Sequence, residues 1–246
     1  MQQTTKTALV TGAAHRIGAE ISRKLHSHGL NIIIHYRESQ QAAESLASEL
    51  NTSRQNSAQC LQGDLSDHQA VIALAQQSIN CFGRLDVLVN NASSFYPTPV
   101  EKASENDWNL LVDSNLKGPF FLSQALSAEL QKSAGTIINI VDIHSDKPLR
   151  DHSIYSIAKA GVAMMTKTLA KELAPDIRVN GVSPGAILWP EQSMSDADKK
   201  EILDNIPLKT LGASSDIAAT VEFLVNSAPY ITGQIIAVDG GRSLSM

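Results

Sequence analysis

Along the chain, short apolar runs alternate with longer stretches whose apolar residues recur every three or four positions. Thr7-Ala-Leu-Val-Thr11, Asn31-Ile-Ile-Ile-His35, Ala58-Gln-Cys-Leu-Gln62, Leu85-Asp-Val-Leu-Val89, Thr136-Ile-Ile-Asn-Ile-Val141, Ile177-Arg-Val-Asn180 and Gln234-Ile-Ile-Ala-Val238 read as seven strands. Most lack polar alternation, as in strands covered on both faces. Helical spacing falls between them, over about 16–28, 39–50, 67–81, 104–117 and 119–132, and from the Tyr155 region to about Leu173. In the first helix Ile17, Ile21 and Leu25 mark the apolar face and Gly29 a C-cap. Gly118-Pro119 predicts a bend between two long helices. Strands alternating with helices predict an α/β fold: a doubly wound parallel sheet of the Rossmann kind, about seven strands with helices on both faces. No linker or repeat interrupts the pattern, so residues 1–246 read as a single domain. The least regular stretch is 183–205, with Pro184, Gly185, Trp189 and Pro190 before a polar helix. It follows a strand's carboxyl end, where ligands of such sheets sit. It reads as a substrate lid, with a tolerated surface loop as the alternative.

Composition narrows the partners. With 43% hydrophobic and 18% charged residues the chain is an ordinary globular sequence. Its length suffices to bury roughly 70–75% of the unfolded surface. A net charge of −5 argues against nucleic acid or an anionic membrane. No apolar run approaches the ~20 residues that span a bilayer. The polar start, Met-Gln-Gln-Thr-Thr-Lys, runs straight into a strand and does not resemble a signal peptide. Cys60 and Cys81 read as buried free thiols of a reducing, cytoplasmic compartment, and the sequons at Asn51 and Asn91 as chance matches. No metal-ligand spacing is present.

The first strand–helix junction carries a candidate cofactor site. In Thr11-Gly-Ala-Ala-His-Arg-Ile-Gly18, Gly12 permits a tight turn and Gly18 close helix packing, and the helix N-terminus offers N–H groups to a pyrophosphate. Arg16 replaces the usual middle glycine and, with Ile17, stands beside the phosphates or the substrate. The second strand ends His35-Tyr36-Arg37, followed by Glu38 and Ser39. A guanidinium and a hydroxyl there suit a 2′-phosphate, favouring NADPH over NADH. Arg37 reads alternatively as a solvated residue at a helix start. Asp64-Leu65, after the third strand, is placed to reach the adenine, with a helix N-cap as Asp64's rival role. Asn90-Asn91-Ala92-Ser93 ends the fourth strand beneath the cofactor, where asparagines can also serve backbone groups alone.

Tyr155 and Lys159, at i and i+4, project from one helical face. A cation beside a phenol lowers its pKa, making the tyrosine a usable acid–base group. Asp142 lies thirteen positions before Tyr155. A carboxylate there repels the negative oxygen that develops on a carbonyl acceptor, whereas an imine nitrogen needs a proton that a carboxyl can relay. Strand-end turn capping is the plainer alternative. Phe95, on a proline-rich loop, can offer a flat apolar face to a flat heterocycle, or pack inside its own loop.

The order Thr-Gly-x-x-x-Arg-x-Gly, Asp64, Asn90-Asn91-Ala92, Asn115, Tyr155-x-x-x-Lys159 and Pro184-Gly185 resembles the short-chain dehydrogenase/reductase family over essentially the whole chain. The resemblance implies that Tyr155 donates the proton, that Lys159 lowers its pKa and holds the nicotinamide ribose, and that Asn115 maintains a proton relay. It also implies a cofactor lying against Pro184 and Gly185. The enoyl-reductase branch usually separates its tyrosine and lysine further, so this spacing disfavours it. Arg16, His35-Tyr36-Arg37-Glu38-Ser39, Asn91-Ala-Ser-Ser-Phe-Tyr-Pro-Thr-Pro99 and Asp142 in place of serine resemble the pteridine reductase branch. That likeness implies Phe95 stacked on a pterin, Ser93 touching cofactor and pterin, Arg16 near phosphates and substrate, and Asp142 assisting Tyr155. Arg37-Glu38 departs from the branch's His-Arg order. The implied activity is reduction of dihydropterin, and of dihydrofolate or oxidised pterin, by NADPH. A 3-oxoacyl thioester or other carbonyl reductase is the alternative, and a non-catalytic NADP(H)-binding sensor or scaffold a third reading. The family's habit of tetramers through its two long mid-chain helical stretches implies a homotetramer. The small apolar run of Ala158, Ala160, Gly161, Val162, Ala163, Met164 and Met165 suits such packing.

Overall fold

The seven runs form one sheet. The computed structural model describes residues 5–189 and 195–245. Its strands are β1 (Thr7–Val10), β2 (Asn31–Tyr36), β3 (Ala58–Gln62), β4 (Val87–Asn90), β5 (Thr136–Ile140), β6 (Arg178–Pro184) and β7 (Ile235–Val238). They are all parallel, in the order β3-β2-β1-β4-β5-β6-β7. The chain starts mid-sheet, winds outward to β3, then returns past β1 to β4. The crevice beyond the carboxyl ends of β1 and β4 is therefore the switch point where such sheets bind ligands.

Successive strand residues face opposite layers. Val10, Ile32 and Ile34 pack under α1 (Arg16–Ser27), α2 (Gln40–Ser53) and α8 (Ser214–Asn226). Leu9, Ile33 and Leu88 pack under α3 (His68–Phe82), α5 (Gly118–Lys132) and α6 (Ser153–Glu172). Each fully buried Leu or Ile contributes roughly 1.5–3 kcal/mol, so both layers are needed to hold the strand ends in place. The set is completed by α4 (Glu105–Val112), opened by a Ser104/Asp107 capping box, and by α7 (Asp196–Asp204).

The structure departs from the sequence expectation in particular places. The two mid-chain helices do not bend at Gly118-Pro119. Pro119 lies in the first turn of α5, and the irregularity is a π-helical turn at Asp113–Lys117. There the Asn115 side chain donates to Leu111 O (2.9 Å). β6 runs to Pro184 because β7 pairs with Gly181–Pro184. The cap of α3 is Asp67, whose carboxylate accepts from Gln69 N (2.8 Å). Asp64 is therefore not the cap, and its Oδ1 accepts from Ser66 instead (2.7–2.9 Å). Helix α8 had no counterpart in the expected elements, although Ile217, Val221 and Leu224 carry its buried face. Cys60 and Cys81 are free but only half-buried, and burial raises both thiols. Of the lid expected over 183–205, residues 190–194 lie outside the described residues; helix α7 follows them and buries no side chain.

Candidate active site

Four strand ends and one helix converge on a cleft of about 550 Å³. Its wall includes Gly12, Arg16, Ile17 and Gly18 after β1, and His35, Tyr36, Arg37 and Ser39 after β2. Asp64 and Leu65 after β3 and Asn91, Ala92, Ser93 and Phe95 after β4 also line it, together with Tyr155 from α6. The glycines are required by space. Gly12 adopts φ +59, and a Cβ on Gly18 would lie 2.4 Å from Gly12 O. Asn91 Nδ2 ties the turn by donating to Thr11 O (2.9 Å) and Gly12 O (3.0 Å). Asn90 is a purely internal brace, donating to Asn139 Oδ1 (2.9 Å) and Ser123 Oγ (3.2 Å). Helix α1 begins without a side-chain cap and without an acidic residue in its first turn. Its free N–H groups and positive dipole end therefore face the cleft, as a pyrophosphate requires. Arg16 takes φ +51, a left-handed conformation costing about 1–2 kcal/mol for a residue with a Cβ. These features fit a dinucleotide. Arg37 and Ser39 line the β2 end of the cleft, where Arg37 Nε pairs with Glu38 (3.1 Å).

His35, which lines the cleft, also braces the turn. Its Nδ1 accepts from Gly12 N (3.1 Å), which leaves the proton on Nε2, 3.1 Å from Gly63 O. Burial lowers its pKa to about 4, so the ring is neutral and both nitrogens are engaged inside the protein. Pro184 and Gly185 do not line this cleft. They end β6, where Gly185 N donates to Val238 O (3.0 Å).

At the catalytic end, Tyr155 Oη donates to Asp142 Oδ2 (2.7 Å). The other oxygen, Oδ1, accepts from His144 N (2.9 Å), so the carboxylate caps a turn and faces the phenol at once. Ser93 Oγ donates to Asn115 Oδ1 (2.6 Å), and Asn115 Nδ2 to Ser94 O (2.9 Å). Lys159 Nζ donates to Ile140 O (3.0 Å), 5.7 Å from the Tyr155 ring centre. The expected lowering of the phenol pKa is reversed. Burial, then the charge of Asp142 and its hydrogen bond, push Tyr155 well above its ordinary value, opposed only by Ser93. Burial brings Lys159 itself down to about 8, partly offset by Asp142. The phenol is thus held as a protonated donor with a carboxylate behind it. Phe95 is 55% exposed, which excludes a role as loop core. It stacks on His152 (centroids 4.6 Å, 14°) and meets Tyr155 edge-on (4.8 Å, 79°). Neither His152 nor the Ser93–Asn115 bond had a sequence signal beyond proximity to Tyr155 and Phe95.

A family model described as enoyl-(acyl carrier protein) reductase matches residues 12–243. The chain belongs to the short-chain dehydrogenase/reductase family. It is an oxidoreductase of that family, whose members use NAD(P)H. Relatives carry several substrate names. The 3-oxoacyl-[acyl-carrier-protein] reductase FabG of Staphylococcus aureus is 38% identical over 241 residues, covering 96% of this chain and 98% of that protein. Pteridine reductase 1 of Leishmania tarentolae is 36% identical over an alignment of 283 positions, covering 98% of each. The 3beta-hydroxysteroid dehydrogenase 1 of Eggerthella lenta is 34% identical over 97% of this chain and 94% of its own. These identities do not separate a pterin from a 3-oxoacyl substrate. Among the described residues no helix is long and apolar enough to cross a membrane, and no group of three or more His, Cys, Asp or Glu is placed to hold a metal ion.

Proposed function

We propose that this chain is an NADPH-dependent pteridine reductase that takes a dihydropterin to the tetrahydro form, with dihydrofolate and oxidised pterin as further candidate substrates. The observation that carries this reading is the 2.7 Å bond from Tyr155 Oη to Asp142 Oδ2. A ketone oxygen gaining negative charge beside Asp142 meets repulsion, whereas a ring nitrogen gaining electrons takes a proton from the phenol. When bound, reduced nicotinamide supplies the hydride. Tyr155 holds the proton at Oη, where Asp142 accepts its hydrogen bond and orients the phenol. Ser93, held by Asn115, acts on the phenol, and Lys159 keeps donors beyond Ile140 O for a ribose. Arg16, Arg37 and Ser39 hold phosphates, and Asp64 and Leu65 lie at the adenine. Phe95, backed by His152, offers the stacking face for the pterin.

The test is NADPH oxidation by the purified protein with dihydrobiopterin, dihydrofolate and an acetoacetyl thioester. Dependence on the pterin supports the reading; turnover of the thioester alone replaces it with 3-oxoacyl reductase, the second reading that the 38% identity to FabG favours. Tyr155→Phe should cost on the order of 10²–10⁴ in rate. A cellular role untouched by that change would instead indicate a non-catalytic NADP(H)-binding scaffold. The same reading makes the protein a cytoplasmic homotetramer. Trp108 and Leu110 on α4, Phe120 on α5 and Ile157 and Met164 on α6 are exposed apolar side chains suited to that assembly. Sedimentation as a monomer at micromolar concentration would refute it.

A further inference from the structure

Strand order brings another charged side chain to the catalytic end of the sheet. Asp142 lies two residues beyond β5, and Arg242 four residues beyond β7 at the start of a short 3-10 turn, Arg242–Leu244. Only β6 separates the two strands, so the segments emerge about 10 Å apart, both at the carboxyl end. The end of β6 stays low in this gap. A Cβ on Gly185 would stand 2.6 Å from Asp239 Cβ, so only glycine lets the turn after β7 fold in this closely. Asp239 then fixes the turn, accepting from Gly241 N (2.9 Å) and Ser243 N (2.8 Å) with its two oxygens.

Among the described residues the Arg242 side chain has no hydrogen-bond or ion-pair partner. Its Nε is sealed from water and has no hydrogen-bond acceptor, and no carboxylate among the described residues comes within 4.0 Å of the guanidinium. Asp142 and Asp239 lie within electrostatic reach and favour its charge against the effect of burial. Neither turns toward it, because the Asp142 oxygens serve His144 N and Tyr155 Oη and those of Asp239 serve the turn. A buried Nε without an acceptor is costly, and an orphaned group of this kind calls for an explanation such as a missing ligand near the same guanidinium.

We propose that Arg242 is a substrate-binding residue whose planar fork donates to two neighbouring acceptors, a ring carbonyl oxygen and an adjacent ring nitrogen without a hydrogen, on the edge of a flat heterocycle held beside Asp142. A guanidinium matches paired in-plane acceptors in a way that a lysine does not. A pterin presents such a pair in its ring carbonyl oxygen and a neighbouring ring nitrogen without a hydrogen, whereas an acyl thioester has no planar acceptor pair of that kind to offer away from its reacting carbonyl. The assignment rests on the pterin reading and identifies the edge of the substrate that the protein grips.

Arg242→Gln and Arg242→Lys, assayed with NADPH and dihydrobiopterin, test it, with NADP⁺ binding by calorimetry and the thermal midpoint measured alongside. Loss of a charge-assisted contact should raise KM about 10- to 100-fold in Arg242→Gln, with kcat changed less than about threefold. Arg242→Lys should recover part of that loss through its charge. NADP⁺ affinity and melting temperature should match wild type. A KM unmoved by Arg242→Gln overturns the assignment and leaves the pterin reading standing. A KM rise accompanied by equal loss of NADP⁺ binding, or by a lowered melting temperature, overturns it in favour of a structural role. Absence of any dihydropterin turnover by the wild type overturns both.

Discussion

Acid should loosen the cofactor turn before it reaches the catalytic pair, and His35 sets the size of the effect. The ring is buried at the end of β2, with Nδ1 accepting from Gly12 N and Nε2 facing Gly63 O. Protonating Nδ1 would set two donors against each other, and burial adds the cost of desolvating the cation. The folded pKa is accordingly about 4, against 6.5 ordinarily. Above pH 6.5 both folded and unfolded states are neutral at this site, and it contributes no pH dependence. Between 6.5 and 4 the unfolded chain binds a proton that the folded one refuses, so stability falls as pH falls; below 4 the loss is complete. A gap of 2.5 units corresponds to about 3 kcal/mol, of which roughly 2.5 kcal/mol is reached by pH 4.5. Carboxylates with lowered pKa values, Asp64 and Asp239 among them, add their own acid-side losses. A non-titrating variant is therefore the proper reference. His35→Asn keeps an acceptor toward Gly12 and cannot ionise. Urea unfolding at pH 7.5 and 4.5 should show wild type losing about 2–2.5 kcal/mol more than this variant. NADP⁺ affinity should weaken over the same range in wild type only. Equal losses in the two proteins, or an NMR titration placing His35 near pH 6.5, would refute the reasoning.

Three other outcomes follow from the site. Asp142→Ser should lower dihydropterin turnover by on the order of 10²-fold while raising reduction of acetoacetyl thioester, because a neutral donor replaces a repelling carboxylate; steady-state kinetics on both substrates decides it. Because burial lowers Lys159 to about 8, it is charged below that pH and neutral above it, so the rate should fall above about pH 8, a limb that Lys159→Met should abolish. Glu38→Gln frees Arg37 from its 3.1 Å pair, and titration should show NADP⁺ binding about 2- to 5-fold tighter with NAD⁺ unimproved.

What could be seen in the sequence divides along a physical line. Strands β1, β2 and β5 were legible because a strand buried on both faces needs an unbroken apolar run, and local composition alone supplies it. The end of β6 was hidden because Gly181 and Ser183 are poor strand formers held extended by pairing with β7, a partner more than fifty residues away. The π-turn was hidden for a related reason. Asn115 was visible as a site residue, but its donation to Leu111 O exists only once the helix is formed. Among the site residues, Tyr155, Lys159 and Asp142 were named from spacing, and the structure brings them together. Spacing cannot report depth, however, and depth reversed the expected electrostatics. A lysine that is itself desolvated and donating to Ile140 O does not lower its neighbour's pKa, while a carboxylate at 2.7 Å raises it. His35 shows the same limit, since its place in the motif was legible and the hydrogen bonds by which it braces the turn were not. Arg242 shows the limit most sharply. Nothing in the run Gly240-Gly241-Arg242-Ser243-Leu244 marks it as part of a site, and only the order β5-β6-β7 brings its guanidinium within electrostatic reach of Asp142, with no partner among the described residues. Asp142 and Arg242, proposed above to meet the substrate together, come from chain segments a hundred positions apart and are brought to one end of the sheet by strand order.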